Sequence, residues 1–226
     1  MNIFARFVGI ITSPKATFQD VVARPGVLGM LVLLTCLSAF GATLPMLTEG
    51  GRQSAIDQQV SGMESFGIQV TDEMYEQIQR RASWLPYQTG IGVLISVPVF
   101  LLIISGILFA VFNAAMGGDA SFKQVFSIVV HANVIAVAGQ LFTGTINYFR
   151  QSVSSVTNLT AALPFIDDST FFGKLLSLID LFMIWWVLVL AIGVGVLYRR
   201  RTQPIALTLY GVYAVIAIAI AAVMSR

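Results

Sequence analysis

Residues 175–198 read LLSLIDLFMIWWVLVLAIGVGVLY between Lys174 and Arg199, and this stretch decides the fold. Crossing about 30 Å of hydrocarbon takes roughly 20 consecutive apolar residues in a helix. The stretch is that long and holds a single charge, Asp180. Four others resemble it, running from Arg24 to Glu49, Arg81 to Asp119, Lys123 to Arg150 and Arg201 to Arg226, with no Lys, Arg, Asp or Glu between those limits. Hydrocarbon offers no partner to backbone N–H and C=O groups, so each stretch is expected to be a helix rather than open strand or loop. The chain therefore reads as an all-α integral membrane protein with five transmembrane helices. They are expected near residues 26–47, 90–114, 122–147, 175–198 and 204–224, in one membrane domain over 1–226.

Composition agrees with that class. The chain is 57% hydrophobic and 11% charged, against about 25% charged in a soluble domain, and its mean hydropathy is +0.84. A net charge of +2, scattered along the chain, gives no clustered basic face for nucleic acid. One cysteine, Cys36, lies in the first apolar stretch, so no intrachain disulfide forms and the redox compartment stays open. After Arg6 the short apolar run Phe7 to Ile11 is broken by Ser13, Pro14 and Lys15. No cleaved signal is therefore expected, and the first span itself directs insertion.

Lys and Arg near span ends collect on the cytoplasmic side. Arg6, Lys15 and Arg24, then Lys123, then Arg199, Arg200 and Arg201 alternate correctly to share one side. The other receives the 48–88 loop, with Glu49, Asp57, Glu64, Asp72, Glu73 and Glu76 against three bases, and the loop near Asp167 and Asp168. Seven bases against six is a narrow margin, so the triple Arg and the N-terminal trio carry the assignment: N-terminus in, C-terminus out.

Residues 1–24 are expected as interfacial helices. Phe4, Phe7, Val8 and Ile11 share one face, and Phe18, Val21 and Val22 share another. Ser13 can cap a second short helix opened by Pro14. In the 48–88 loop, Thr71 followed by Asp72, Glu73 and Glu76, then Arg80 and Arg81, sets acids at a helix start and bases near its end. That loop is expected to be polar, helical and non-cytoplasmic. Pro98 should bend span two. Gly117, Gly118 and Asp119 make a tight turn, and Ser121 can cap span three. No internal repeat is visible, so a transporter built from inverted repeats gains no support.

Asp180 is the most costly side chain in the chain, since an ionised carboxylate at the bilayer centre costs at least ~2.5 to 3.5 kcal/mol and normally faces a partner inside the bundle. Span three offers one. Asn133, Ala136, Gln140, Gly144 and Asn147 recur at spacings of three and four along one stripe, and small or amide side chains on a membrane helix usually face another helix. Gln140 or Thr143 is expected nearest Asp180. Such a constellation is either a proton or ion site or an interhelical clasp. The clasp of Asp180, Gln140, Thr143 and Asn133 is preferred because no second carboxylate or buried base accompanies it. His131, the only histidine, has no Cys, Asp or Glu at metal-ligand spacing and reads as a bundle residue.

Enzyme signatures are missing: no His-Glu-x-x-His, no Gly-x-Ser-x-Gly, no phosphate-binding Gly-rich loop. Met116 stands where Gly117, Gly118 and Asp119 would need a glycine to match the Gly-x-Gly-Asp of intramembrane aspartyl proteases. Trp185 and Trp186 sit mid-span and suit packing better than an aromatic belt. Asn158, Leu159 and Thr160 form a glycosylation acceptor only where the machinery exists. No catalytic residue, metal or cofactor is expected.

Three segments together resemble the Yip domain family of polytopic membrane proteins, particularly its bacterial members. They are Pro14 to Phe18, the turn Gly117 and Gly118 with Ser121, Phe122, Lys123, Gln124 and Val125, and the run Ile179, Asp180, Leu181, Phe182, Met183, Ile184 and Trp185, with Gly193 following. The resemblance implies a five-span helical fold with a cytoplasmic N-terminal region, and no catalytic residues to carry over. In eukaryotic relatives it also implies partners in membrane traffic such as prenylated small GTPases. The expected function is a non-enzymatic scaffold or adaptor in a bacterial inner membrane, in contact with lipid and with a protein partner or a second copy of itself. The alternative is a small transporter or channel subunit that uses Asp180 and the stripe.

Overall fold

Most of the apolar length without charge becomes helix. The computed structural model describes residues 1–65, 67–163, 165–167 and 170–225. Asp168, counted above with the outer loop, and Arg226, which ends the fifth stretch, lie outside the described residues. In chain order the helices are α1 (Ile3–Thr12), α2 (Pro14–Ala23), α3 (Leu28–Thr43), α4 (Glu49–Ser65), α5 (Asp72–Arg80), α6 (Leu85–Phe109), α7 (Phe122–Ala132), α8 (Val134–Arg150), α9 (Leu159–Ala162), α10 (Phe171–Ser177), α11 (Leu181–Leu197) and α12 (Thr202–Met224). Tighter 3₁₀ turns cover Leu44–Leu47 and Ala82–Trp84, and α6 runs into a wider π-helical segment, Ala110–Ala115. No strand occurs among the described residues, and the one β-type pairing is an isolated bridge between Asn158 and Asp180.

Four helical runs are long and apolar enough to cross a membrane: Leu28–Leu47, Ala82–Ala114, Phe122–Arg150 and Thr202–Met224. The apolar α11 has 17 residues, about 26 Å at 1.5 Å per residue, the short end of the spanning range. Two expected boundaries change. The second run begins at Ala82 rather than 90, because the 3₁₀ turn Ala82–Trp84 leads directly into α6. The fourth begins at Leu181 rather than 175, because α10 stops at Ser177, Leu178 and Ile179 turn back on it, and Asp180 pairs with Asn158 in the isolated bridge. Asp180 is thus not buried a turn inside a helix; it directly precedes α11, a position where a short acidic residue is favoured.

The chain falls into two compact units. The first comprises Met1–Leu37, Leu94–Ala138 and Phe182–Tyr213. Phe18 and Val21 of α2 are fully buried there with Ile128 and Val129 of α7 and Leu190 and Val194 of α11. A Cβ on Gly193 would stand 2.6 Å from Ile128 Cγ2 and 3.0 Å from the Phe18 ring, so the bare backbone of α11 is what admits both side chains. The apolar face of α2, expected on the lipid surface, is therefore core. On α1 the exposed large apolar residues are Ile3, Phe4, Val8 and Ile11, while Arg6 is turned inward. Arg6 Nη2 lies 2.8 Å from Asp20 of α2, which also receives the N-terminal ammonium at 3.0 Å. The hydrogen bond from that ammonium, and next the Arg6 guanidinium, hold the Asp20 carboxyl below its ordinary 3.8 against the opposing effect of burial. Ser13 does not cap α2 with its side chain; its carbonyl instead accepts from the Thr17 N–H and hydroxyl, at 3.1 and 3.0 Å.

The second unit comprises Ser38–Val93, Gly139–Leu181 and Ala214–Arg226. The polar loop is helical, as its charge order predicts: Thr71 caps α5 through the Met74 N–H, with Asp72 and Glu73 in the first turn and Arg80 in the last. Thr48 does the same for α4 by accepting from Gly51 N at 3.0 Å. Gln53 Nε2 of α4 donates to the Tyr75 hydroxyl of α5 at 3.0 Å.

Candidate functional site

Asp180 lies at a crossing of two chain segments. The Leu159 N–H donates to the Ile179 carbonyl at 3.0 Å and the Leu181 N–H to the Thr157 carbonyl at 3.1 Å. The Thr157 hydroxyl donates to Asp180 Oδ2. Asn158 completes the junction. Its Oδ1 accepts from the Ala161 N–H at 2.9 Å, capping α9, while its Nδ2 donates to the Ser177 carbonyl at 3.2 Å at the end of α10. Each group satisfies a backbone end that a helix leaves open. The amide of the Asn158-Leu159-Thr160 tripeptide is thereby engaged in the fold.

The residues expected to meet Asp180 have well-defined surroundings of their own. Gln140 and Gly144 of α8 lie against Gly41 of α3, where an added methyl on Gly144 would collide with the Gly41 carbonyl. Asn147 Nδ2 donates to the Ser154 carbonyl at 2.9 Å. Thr143 and Ala136 are half-buried, and Asn133 is buried at the junction of α7 and α8. Small residues on α3 and α8 thus let two backbones touch, as small residues on membrane helices do. Thr157 was missed from sequence. It is 23 residues from Asp180 in a loop, and helical spacing gives no signal for such a contact.

The turn that carries the family resemblance sits in the first unit. The π-helical segment closes with the Met116 N–H on the Val111 carbonyl at 3.1 Å, and Gly117 then takes φ +70°, a region that Gly enters without steric cost. Asn113 Nδ2 donates to the Ala120 carbonyl at 2.5 Å, and its Oδ1 accepts from the Tyr198 hydroxyl at 2.6 Å. The Tyr198 ring stacks on Phe112 at 5.0 Å and packs edge-on to Gly118. Ser121 and Gln124 form a reciprocal capping box at the start of α7. Phe122 packs on Phe109 and Phe126, and Lys123 is exposed. In α11, Phe182 stacks on Trp185 at 6.3 Å, and Trp186 is buried. Asn113 and Tyr198, which fasten this turn, were not legible from sequence either.

Chemically these groups hold helix ends and turns. No group of His, Cys, Asp and Glu suited to a metal ion occurs among the described residues. His131 is fully buried with Nδ1 2.7 Å from the Ser127 carbonyl, a helical neighbour rather than a nucleophile.

A family model described as the Yip1 domain matches residues 8–224. The membrane protein YknW of Bacillus subtilis is 23% identical over 210 residues, covering 92% of this chain and 86% of YknW. No solved structure matches.

Proposed function

The chain belongs to the Yip1 domain family, and on that premise we propose that it acts in the membrane as a non-enzymatic scaffold or adaptor. It crosses a bacterial inner membrane five times, with α11 as the fourth span, the N-terminus in the cytoplasm and the C-terminus outside. Asp180, Gln140, Thr143 and Asn133 serve structure rather than chemistry. The observation that carries this reading is the use made of the polar side chains: Thr157 with Asp180, Asn158 with two helix ends, and Asn113 with Tyr198 are all bonded within the fold. Partners then meet the chain through its apolar flanks. Only 17% of the Ala82–Ala114 window and 22% of the Thr202–Met224 window are covered by the chain itself, against 67% for Phe122–Arg150.

Purification from native membrane in mild detergent tests the proposal. A stoichiometric integral membrane partner, or a stable homo-oligomer, is the expected result. Proteoliposomes of the pure protein that pass an ion, with the flux abolished in a folded Asp180→Asn variant, would replace the adaptor with a transporter.

A further inference from the structure

A cavity of about 440 Å³ opens in the first unit where α1, the entry to α3 and α7 meet, lined by Arg6, Pro25, Gly26, Leu28, Lys123 and His131 among others. Three of these groups carry polar atoms that the fold leaves over. Arg6 uses Nε and Nη2 on Asp20 and on the Arg24 carbonyl, at 2.9, 2.8 and 3.0 Å. Its Nη1 faces the Gly26 wall, 3.5 Å from where a Cβ would stand. The Lys123 ammonium is exposed. His131 has no exposed surface, and because the carbonyl of Ser127 can only accept, Nδ1 holds the proton there. Its Nε2 is therefore an acceptor, buried and without a partner, a state that protein interiors rarely leave unmet.

We propose that this cavity binds the headgroup of an anionic phospholipid that carries a free hydroxyl beside its phosphodiester. The Asp20 carboxylate offsets one of the nearby positive charges, and Lys123 with the start of α3 leaves the site electropositive. A helix N-terminus favours an anion. The phosphodiester takes Arg6 Nη1 and Lys123; the hydroxyl donates to His131 Nε2. Leu28, which lines the cavity, and Val32 one turn further along α3 are both exposed, giving the acyl chains an apolar track away from the headgroup. Basic pockets at the ends of membrane helices hold lipid headgroups by the same combination.

Native mass spectrometry of the full chain in detergent tests this with four lipids of matched acyl chains: phosphatidylglycerol, phosphatidylmethanol, phosphatidylethanolamine and phosphatidylcholine. Phosphatidylglycerol should be retained one to a chain and in preference to the other three. Lys123→Gln should cut that retention by about fivefold, the effect of one basic side chain at an anionic surface. His131→Phe should erase the preference for phosphatidylglycerol over phosphatidylmethanol, which lacks the hydroxyl, provided its melting temperature shows a folded chain. Equal retention of phosphatidylcholine, or a Lys123→Gln variant that binds phosphatidylglycerol as the parent does, overturns the proposal. So does full displacement of phosphatidylglycerol by millimolar inorganic phosphate, which would make the site one for the free anion.

Discussion

A methyl group is enough to test how Gly144 is used. An alanine there would drive its Cβ into the Gly41 carbonyl, and overpacking of this kind costs about 1–3 kcal/mol. Gly144→Ala should therefore lower the melting temperature in detergent. Gly211→Ala, where nothing stands within 4 Å, should leave it unchanged or raise it slightly, since Ala is the better helix former. For Asp180, loss of the hydrogen bond from Thr157 is worth about 0.5–1.5 kcal/mol, so Asp180→Ala should accumulate less in the membrane than the parent. Asp180→Asn, which still accepts from Thr157, should fall between them. Asp20 supplies a pH dependence. Its folded pKa lies below the ordinary 3.8, so its contribution is present above that value and is lost as pH falls through the folded pKa. Thermal unfolding followed from pH 6 to pH 3 should show an acid-side loss that Asp20→Asn flattens.

At the level of elements, most of what charge spacing and apolar length announced is present. The helical loop with Thr71 at its start, the Gly117 turn and the Ser121 cap were legible because each depends on residues within a few positions of one another. Long-range contacts were not. The end of α10 at Ser177 depends on Asn158 and Thr157, which no local pattern near 175–180 reveals. The apolar face of α2 was visible as a face, but which surface covers it depended on Gly193, 175 residues beyond Phe18. On α1 the expectation of an interfacial helix leads to a direct measurement. In a Cys36→Ser background, a fluorophore on Phe4→Cys should be quenched by lipid-borne quenchers and one on Lys15→Cys should not, as Phe4 belongs to the exposed apolar face and Lys15 to a polar surface. Equal quenching at both positions would remove α1 from the interface.

For the molecule as a whole the parity of its crossings matters more than any single boundary. With α11 spanning, the number is odd and the two ends lie on opposite sides; without it they lie together. A fluorescent protein fused to the C-terminus should stay dark in a reporter that matures only in the cytoplasm, and alkaline phosphatase in its place should be active. The reverse pair of signals would make α11 a re-entrant or buried segment. Its length alone leaves it at the margin of what a bilayer requires, which is why the sequence, reading 175–198 as one continuous rod, made it look longer than it is.

The wide turn at Ala110–Ala115 bears on how relatives should be aligned. There the Met116 N–H reaches back five residues, to Val111, instead of four, the signature of a single surplus residue absorbed into a helix. Excising one residue from this segment should restore ordinary pitch and leave the Gly117–Gly118 corner able to form. A one-position gap against a homologue at this place would then record a change of helical register, with the flanking residues still equivalent on either side.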